Sequence, residues 1–176
     1  MTSPRRLLVA LAVCAFAIEG CAARSVHSYL EPGVDLGRYQ RYDWGPADRA
    51  ATGDPRLDNN EIVQGRIQAA IEQQLASKGF QRSASGSPEL LVHYHVSVEQ
   101  RIDLRDKEPT TPCPDCKPFI YDAGSLVVDL FDPGSNRVVW RGWSEGNIEG
   151  LIDNQRWLDE QLDETVKRIF DQLPRR

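Results

Sequence analysis

The chain has 176 residues, with 21 basic and 26 acidic side chains and a formal net charge of −5. A mildly acidic chain without a basic block argues against nucleic acid as a partner, and against docking on anionic lipid through charge. An apolar content of 40 % and four tryptophans, Trp44, Trp140, Trp143 and Trp157, mark a chain that folds rather than a disordered one.

The chain opens with Arg5-Arg6, an apolar run from Leu7 to Ile18, and then Glu19-Gly20-Cys21. A positive start, a short apolar core and small residues at a cut are the three parts of an export signal. The apolar run is much shorter than the roughly 20 residues needed to span a bilayer. A cysteine directly after a small residue at the expected cut is similar to the lipobox of bacterial lipoproteins. That resemblance implies a signal peptide over 1–20 and lipid on Cys21, so the membrane becomes a partner through that lipid. Ala22, where Asp would favour retention in the inner membrane, implies the outer membrane, facing the periplasm. Removing residues 1–20 takes away Arg5, Arg6 and Glu19 and leaves 19 basic and 25 acidic residues, a charge of −6.

Residues 21–37 are polar and lack periodicity, so they read as a flexible tether. Tyr39 to Trp44 reads as a first strand, closed by Gly45-Pro46. Asp58-Asn59-Asn60-Glu61 has the spacing of a capping box and starts a helix. Val63, Ile67, Ala70, Ile71 and Leu75 form its apolar stripe, and Gly79 ends it with Phe80 packing back. Glu89 to Glu99 alternates cleanly, with Leu90, Val92, Tyr94, Val96 and Val98 on one face and Leu91, His93, His95 and Ser97 on the other. Residues 100–123 hold four prolines and read as a long loop, a candidate functional or accessory segment.

Gly124 to Asp132 and Arg137 to Gly146 read as two strands joined by the turn Pro133-Gly134-Ser135-Asn136, with Gly142 marking a bulge or a close approach. A last helix runs from about Asn154 to Leu173, with its stripe at Leu158, Leu162, Val166, Ile169 and Leu173. The predicted fold is α+β: a two-layer sandwich whose mostly antiparallel sheet of about four strands carries two helices on one face. The predicted domain is 38–174, with a core of Val63, Ile67, Ile71 and Leu75, Leu158, Leu162, Val166 and Ile169, and Val92, Tyr94, Val96, Leu126, Val128, Leu130 and Trp140.

The chain contains no nucleophile elbow, P-loop, zinc-protease motif or dinucleotide fingerprint, and no catalytic residue is assigned. Cys14 leaves with the signal and Cys21 carries lipid, so Cys113 and Cys116 remain, and an oxidising compartment would join them as a disulfide. Prolines at 112, 114 and 118 oppose the helix that a redox C-x-x-C uses to stabilise its thiolate. His93 and His95 project together from a strand and, with Cys113 and Cys116, would match the ligand set of tetrahedral zinc, although nothing in the spacing brings the two pairs together. A periplasmic metal-binding or thiol-redox protein is therefore the alternative to a non-enzymatic binding module without a cofactor. Trp140 belongs in the core, whereas Arg141 and Trp143 are candidates for a contact surface toward an envelope protein or polymer.

Taken together, several segments in this order resemble the DUF4136 family of bacterial envelope lipoproteins. They are Tyr39 to Trp44, Leu75-Ala76-Ser77-Lys78-Gly79-Phe80, Pro88 to His95, Gly124 to Asp132, Val138-Val139-Trp140-Arg141-Gly142 and the final helix into Leu173-Pro174. The resemblance spans roughly Tyr39 to Pro174 and implies a fold and an envelope location. It implies no reaction and no catalytic residues.

Replacing both Cys113 and Cys116 by Ser should cost less stability than Ile67→Ala, for which about 2–5 kcal/mol is expected, because the four-residue ring restrains little chain entropy. Urea unfolding of the two variants checks the order.

Overall fold

The computed structural model of the chain describes residues 24–46, 50–84, 87–103 and 119–175. Its elements are β1 (Ser25–Leu30), β2 (Arg41–Trp44), α1 (Glu61–Ser77), β3 (Gln81–Arg82), β4 (Leu90–Asp103), β5 (Phe119–Asp132), β6 (Arg137–Asn147) and α2 (Gln155–Asp171). A 3-10 turn at Leu36–Arg38 links β1 to β2. Among the described residues the strands form one sheet in the order β1-β6-β5-β4-β2-β3. β4, β5 and β6 make an antiparallel meander and β1 adds antiparallel to β6, whereas β2 runs parallel to both β4 and β3.

The predicted sheet of about four mostly antiparallel strands is thus corrected to a six-stranded mixed sheet, still within an α+β fold. The parallel pairs arise because α1 carries the chain back between β2 and β3, the crossover that parallel neighbours require. Two strands carry weak signals. β1 lies within the expected tether, and its helix-facing positions are Val26, Ser28 and Leu30, so a serine interrupts the apolar alternation. β3 has two residues, both exposed.

Strand also replaces both ends of the expected loop 100–123, since β4 continues to Asp103 and β5 starts at Phe119 with an unbroken register between them. The prolines, at 109, 112, 114 and 118, all fall between these ends, outside the described residues. Helix α1 begins two residues later than the capping-box spacing suggests. Asn60 is its cap and accepts from the Val63 N–H at 3.2 Å. Asp58 instead fixes the preceding loop, accepting from the Thr52 N–H at 2.7 Å and its hydroxyl at 2.8 Å. Gly79 does end α1, at φ +84°, with the Phe80 N–H returning to the Leu75 carbonyl at 3.0 Å. Asn154 caps α2 in the same manner as Asn60 caps α1. The two helices run parallel: Arg66 pairs with Asp159 near their starts, and Ala70 to Gln74 adjoin Asp163 to Lys167 further on.

Both helices bury their stripes on one sheet face. Ile67, Ile71, Leu75, Val166 and Ile169 meet Val92, Leu126, Val128, Leu130 and Trp140, all buried. Val63, Tyr94, Val96 and Leu162 pack at the margin. The core also takes in Tyr39, Tyr42, Phe80, Leu90, Val139 and Phe170. Trp140 is fully buried, with its ring 5.5 Å from that of Phe170. Its indole lies on the backbone of Gly142, where an added Cβ would stand 2.4 Å from Trp140 Cη2 and 2.6 Å from Ile169 Cγ2. Gly142 is therefore a close approach. The bulge lies nearby, where pairing steps from Leu130–Trp140 to Phe131–Val138 and turns Val139 inward.

Gly142→Ala should cost about 1–3 kcal/mol by overpacking, and Leu130→Ala about 2–5 kcal/mol by opening a cavity. Equilibrium denaturation of each variant checks both figures.

Candidate contact face

Side chains alternate across a pleated sheet, so the strands that bury one face against the helices present a second face. Among the described residues no element covers that second face, and the residues on it from β4, β5 and β6 are mostly half-buried. Strand register arranges them in rows. One row runs Tyr29, Arg141, Asp129, His93, and the next runs His27, Trp143, Val127, His95.

The first row is held by charge. Arg141 donates from Nε and Nη2 to the two carboxylate oxygens of Asp129, each at 2.6 Å, a bidentate pair with its carboxylate largely shielded. The Asp129 hydrogen bonds raise the pKa of Arg141 above its ordinary value, so the guanidinium stays charged. Asp129, whose place among apolar neighbours has no local sequence explanation, is thus the partner of Arg141 across the strand pair. In the second row the ring of Trp143 lies 5.4 Å from that of His27, tilted by 32°. His27 comes from β1, so reading that stretch as a tether hid this contact.

His93 packs against the protein. A Cβ at Gly45 would stand 2.0 Å from His93 Cε1, so the imidazole rests on that glycine's backbone, and its edge meets Phe131 at 6.0 Å. His95 projects from the same face, in line with Val127. Cys21, Cys113 and Cys116 lie outside the described residues. Among the described residues no three His, Cys, Asp or Glu side chains are grouped to hold a metal ion.

The carboxylates that folding perturbs act as clamps. Asp132 is 7 % exposed. It accepts from Arg38 at 2.9 Å, the Tyr39 hydroxyl at 3.0 Å and the Gly134 N–H at 2.8 Å. Burial pushes its pKa up, but the hydrogen bonds outweigh burial and hold it below the usual carboxylate range. The expected turn at Pro133-Gly134 thus has its Asp anchor, and the same Asp ties β5 to the segment before β2. Glu89 is likewise held low by the N–H groups of Gln40 and Arg41, at 2.6 and 2.9 Å. A cleft of about 330 Å³ lies between β4, α1 and residues 50–59, and its carboxylate, Asp58, is the one bound to Thr52.

The profile of a domain of unknown function, DUF4136, matches residues 26–175. The chain belongs to the DUF4136 family. No curated protein matches this DUF4136 chain. Its fold is similar to the crystal structure of a PDZ domain protein from Parabacteroides distasonis, with a TM-score of 0.58 at 17 % identity over 86 % of this chain. The chain spans 36 % of that protein's length. It is also similar to the PelC dodecamer from Paraburkholderia phytofirmans, with a TM-score of 0.50 at 13 % identity over 88 % of this chain and 99 % of that one. Both likenesses concern the fold.

Asp132 and Glu89 titrate below the range of unfolded carboxyls, near pH 4. A carboxyl depressed by folding stabilises the fold above its unfolded pKa, and that stabilisation is lost as pH falls through the folded value. The Tm should therefore drop as the pH falls below about 5, and Asp132→Asn should flatten the drop while lowering the Tm at neutral pH. Thermal melts across that range test this.

Proposed function

We propose that this DUF4136 chain is a non-enzymatic, lipid-anchored binding module of the cell envelope, attached through Cys21 to the outer membrane and facing the periplasm. Its contact surface toward an envelope protein or polymer is the open sheet face around Trp143. The observation that carries this reading is the pair of rows on that face. A half-exposed aromatic and a fixed ion pair stand side by side on a rigid sheet, a combination common in contact surfaces. Support for anchoring comes from the signal and the Gly20-Cys21 junction. Support for a non-enzymatic role comes from the perturbed carboxylates, which are engaged in holding loops. The metal version of the alternative has less support, because His93 is committed to Gly45 and Phe131.

Mass spectrometry of the mature N-terminal peptide should show a diacylglycerol thioether on Cys21, and an unmodified N-terminus would remove the anchor. A photoreactive residue at position 143 should give a specific crosslinked product in cells, and one at buried position 128 should not. If position 143 yields no product, the contact face is assigned wrongly.

A further inference from the structure

The end of the sandwich where the described chain starts has an unusual surface. β4 ends there and β5 starts there, while both helices begin there, joined by the Arg56–Asp153 ion pair in the loops before them. Among the described residues, Ile62, Ile102, Ile120 and Trp157 are large hydrophobic side chains left 64, 56, 54 and 43 % exposed. All four lie at this end: Ile62 and Trp157 in the first turns of α1 and α2, Ile102 and Ile120 opposite each other in β4 and β5. The fifth exposed side chain of this kind, Tyr29, lies toward the other end of β1.

The β4–β5 pair outruns the sheet. β6 ends at Asn147, level with Ala123, and Ile148 still donates to the Asp122 carbonyl at 2.9 Å, so residues 101–103 and 119–121 have only each other as strand partners among the described residues. Three residues at about 3.3 Å each carry the described part of this arm about 10 Å past the sheet. The start of the described chain is fixed beside the root of this arm. Arg24 donates to the Thr165 hydroxyl at 3.0 Å and accepts at its carbonyl from Arg168 at 3.1 Å. Its stem crosses Gly146, where a Cβ would stand 2.6 Å from Arg24 Cγ. Only Ala22 and Ala23 separate Arg24 from Cys21, and three Cα steps reach about 11 Å at most.

Register places Arg24 level with Val98, five residues or about 16 Å short of Asp103, so the leash is shorter than the distance to the end of the described arm, and the described chain starts at that same end of the sandwich. We propose that the Ile102–Ile120 arm, flanked by Trp157 and Ile62, seats in the headgroup layer of the phospholipid bilayer that holds Cys21. This rests on the anchoring reading above and adds the orientation of the domain on its membrane. Among the described residues of the arm the contact rests on Ile102 and Ile120 and not on cations, because the one basic side chain there, Arg101, is paired with Glu145 at 3.3 Å and Glu99 at 3.7 Å. Tryptophan is enriched at the bilayer interface, and exposed apolar side chains such as isoleucine gain by burial at the headgroup–acyl boundary.

The test uses the full lipidated chain in vesicles of phosphatidylethanolamine and phosphatidylglycerol, with and without brominated acyl chains, carrying Ile102→Trp, Ile120→Trp or Tyr29→Trp. Flotation comes first, and a mature chain that does not float with vesicles overturns the anchoring reading and the seating with it. In floating protein, the emission added at 102 or 120 should fall about twofold in brominated vesicles, while that added at 29 should not change. Floating protein with no quenching at either 102 or 120 overturns the seating and leaves the anchor standing. Crosslinks from 102 to a second copy, together with unquenched emission, also overturn it and assign the arm to self-association.

Discussion

The indole of Trp140 lying across Gly142 is the contact on which both layers close. Trp140 stands between Leu30 of β1 and Leu130 of β5 on the central sheet, under Ile169 and Phe170 of α2. A ring of that size lies flat on a strand only where the next residue on the same face has no side chain. Gly142 supplies that gap, and Ser28 beside it on β1 is also small. The indole N–H has no partner among the described residues, so shape and apolar burial hold it there. β1, β6 and α2 thus depend on one glycine–tryptophan pair.

The packing is uneven along the sandwich. The end remote from Arg24 holds Tyr39, Phe80, Trp140, Phe170 and Leu173, all buried. Toward the other end the sheet positions shrink to Gly124, Ser144 and Gly146, and an apolar cavity of about 100 Å³ remains beneath Val63, Leu158 and Leu162. Leu158, which the helical stripe assigns to the core, lines that cavity instead. Fewer close-packed neighbours favour local opening at this end over the other.

Helices and central strands are legible in the sequence because their periodicities of 3.6 and 2 persist over many residues. Ile67, Ile71 and Leu75 on one stripe and Val92, Val128 and Leu130 on the strands are buried as that pattern requires. Edge elements carry too few apolar positions to register: β3 has two residues, and β1 breaks its alternation at Ser28. Sheet order and parallel pairing are nonlocal and leave no trace in a single strand's pattern. The same limit applies to the contact face. The outward direction of Arg141, Trp143, His93 and His95 follows from alternation alone. The pairing of Arg141 with Asp129 and of Trp143 with His27 depends on which strands are neighbours.

β1 also sets how the fold bears a load. It runs antiparallel to β6 over six register pairs, and its start is pinned by Arg24 to α2. A pull on the residues ahead of Arg24 acts along the strand axis, so the ladder is sheared with its hydrogen bonds strained together. A pull across the axis would peel the same ladder one bond at a time. Arg24 and Arg168 add side-chain ties at the point where the force enters. The edge strand that looked like slack chain is placed to behave as a mechanical clamp.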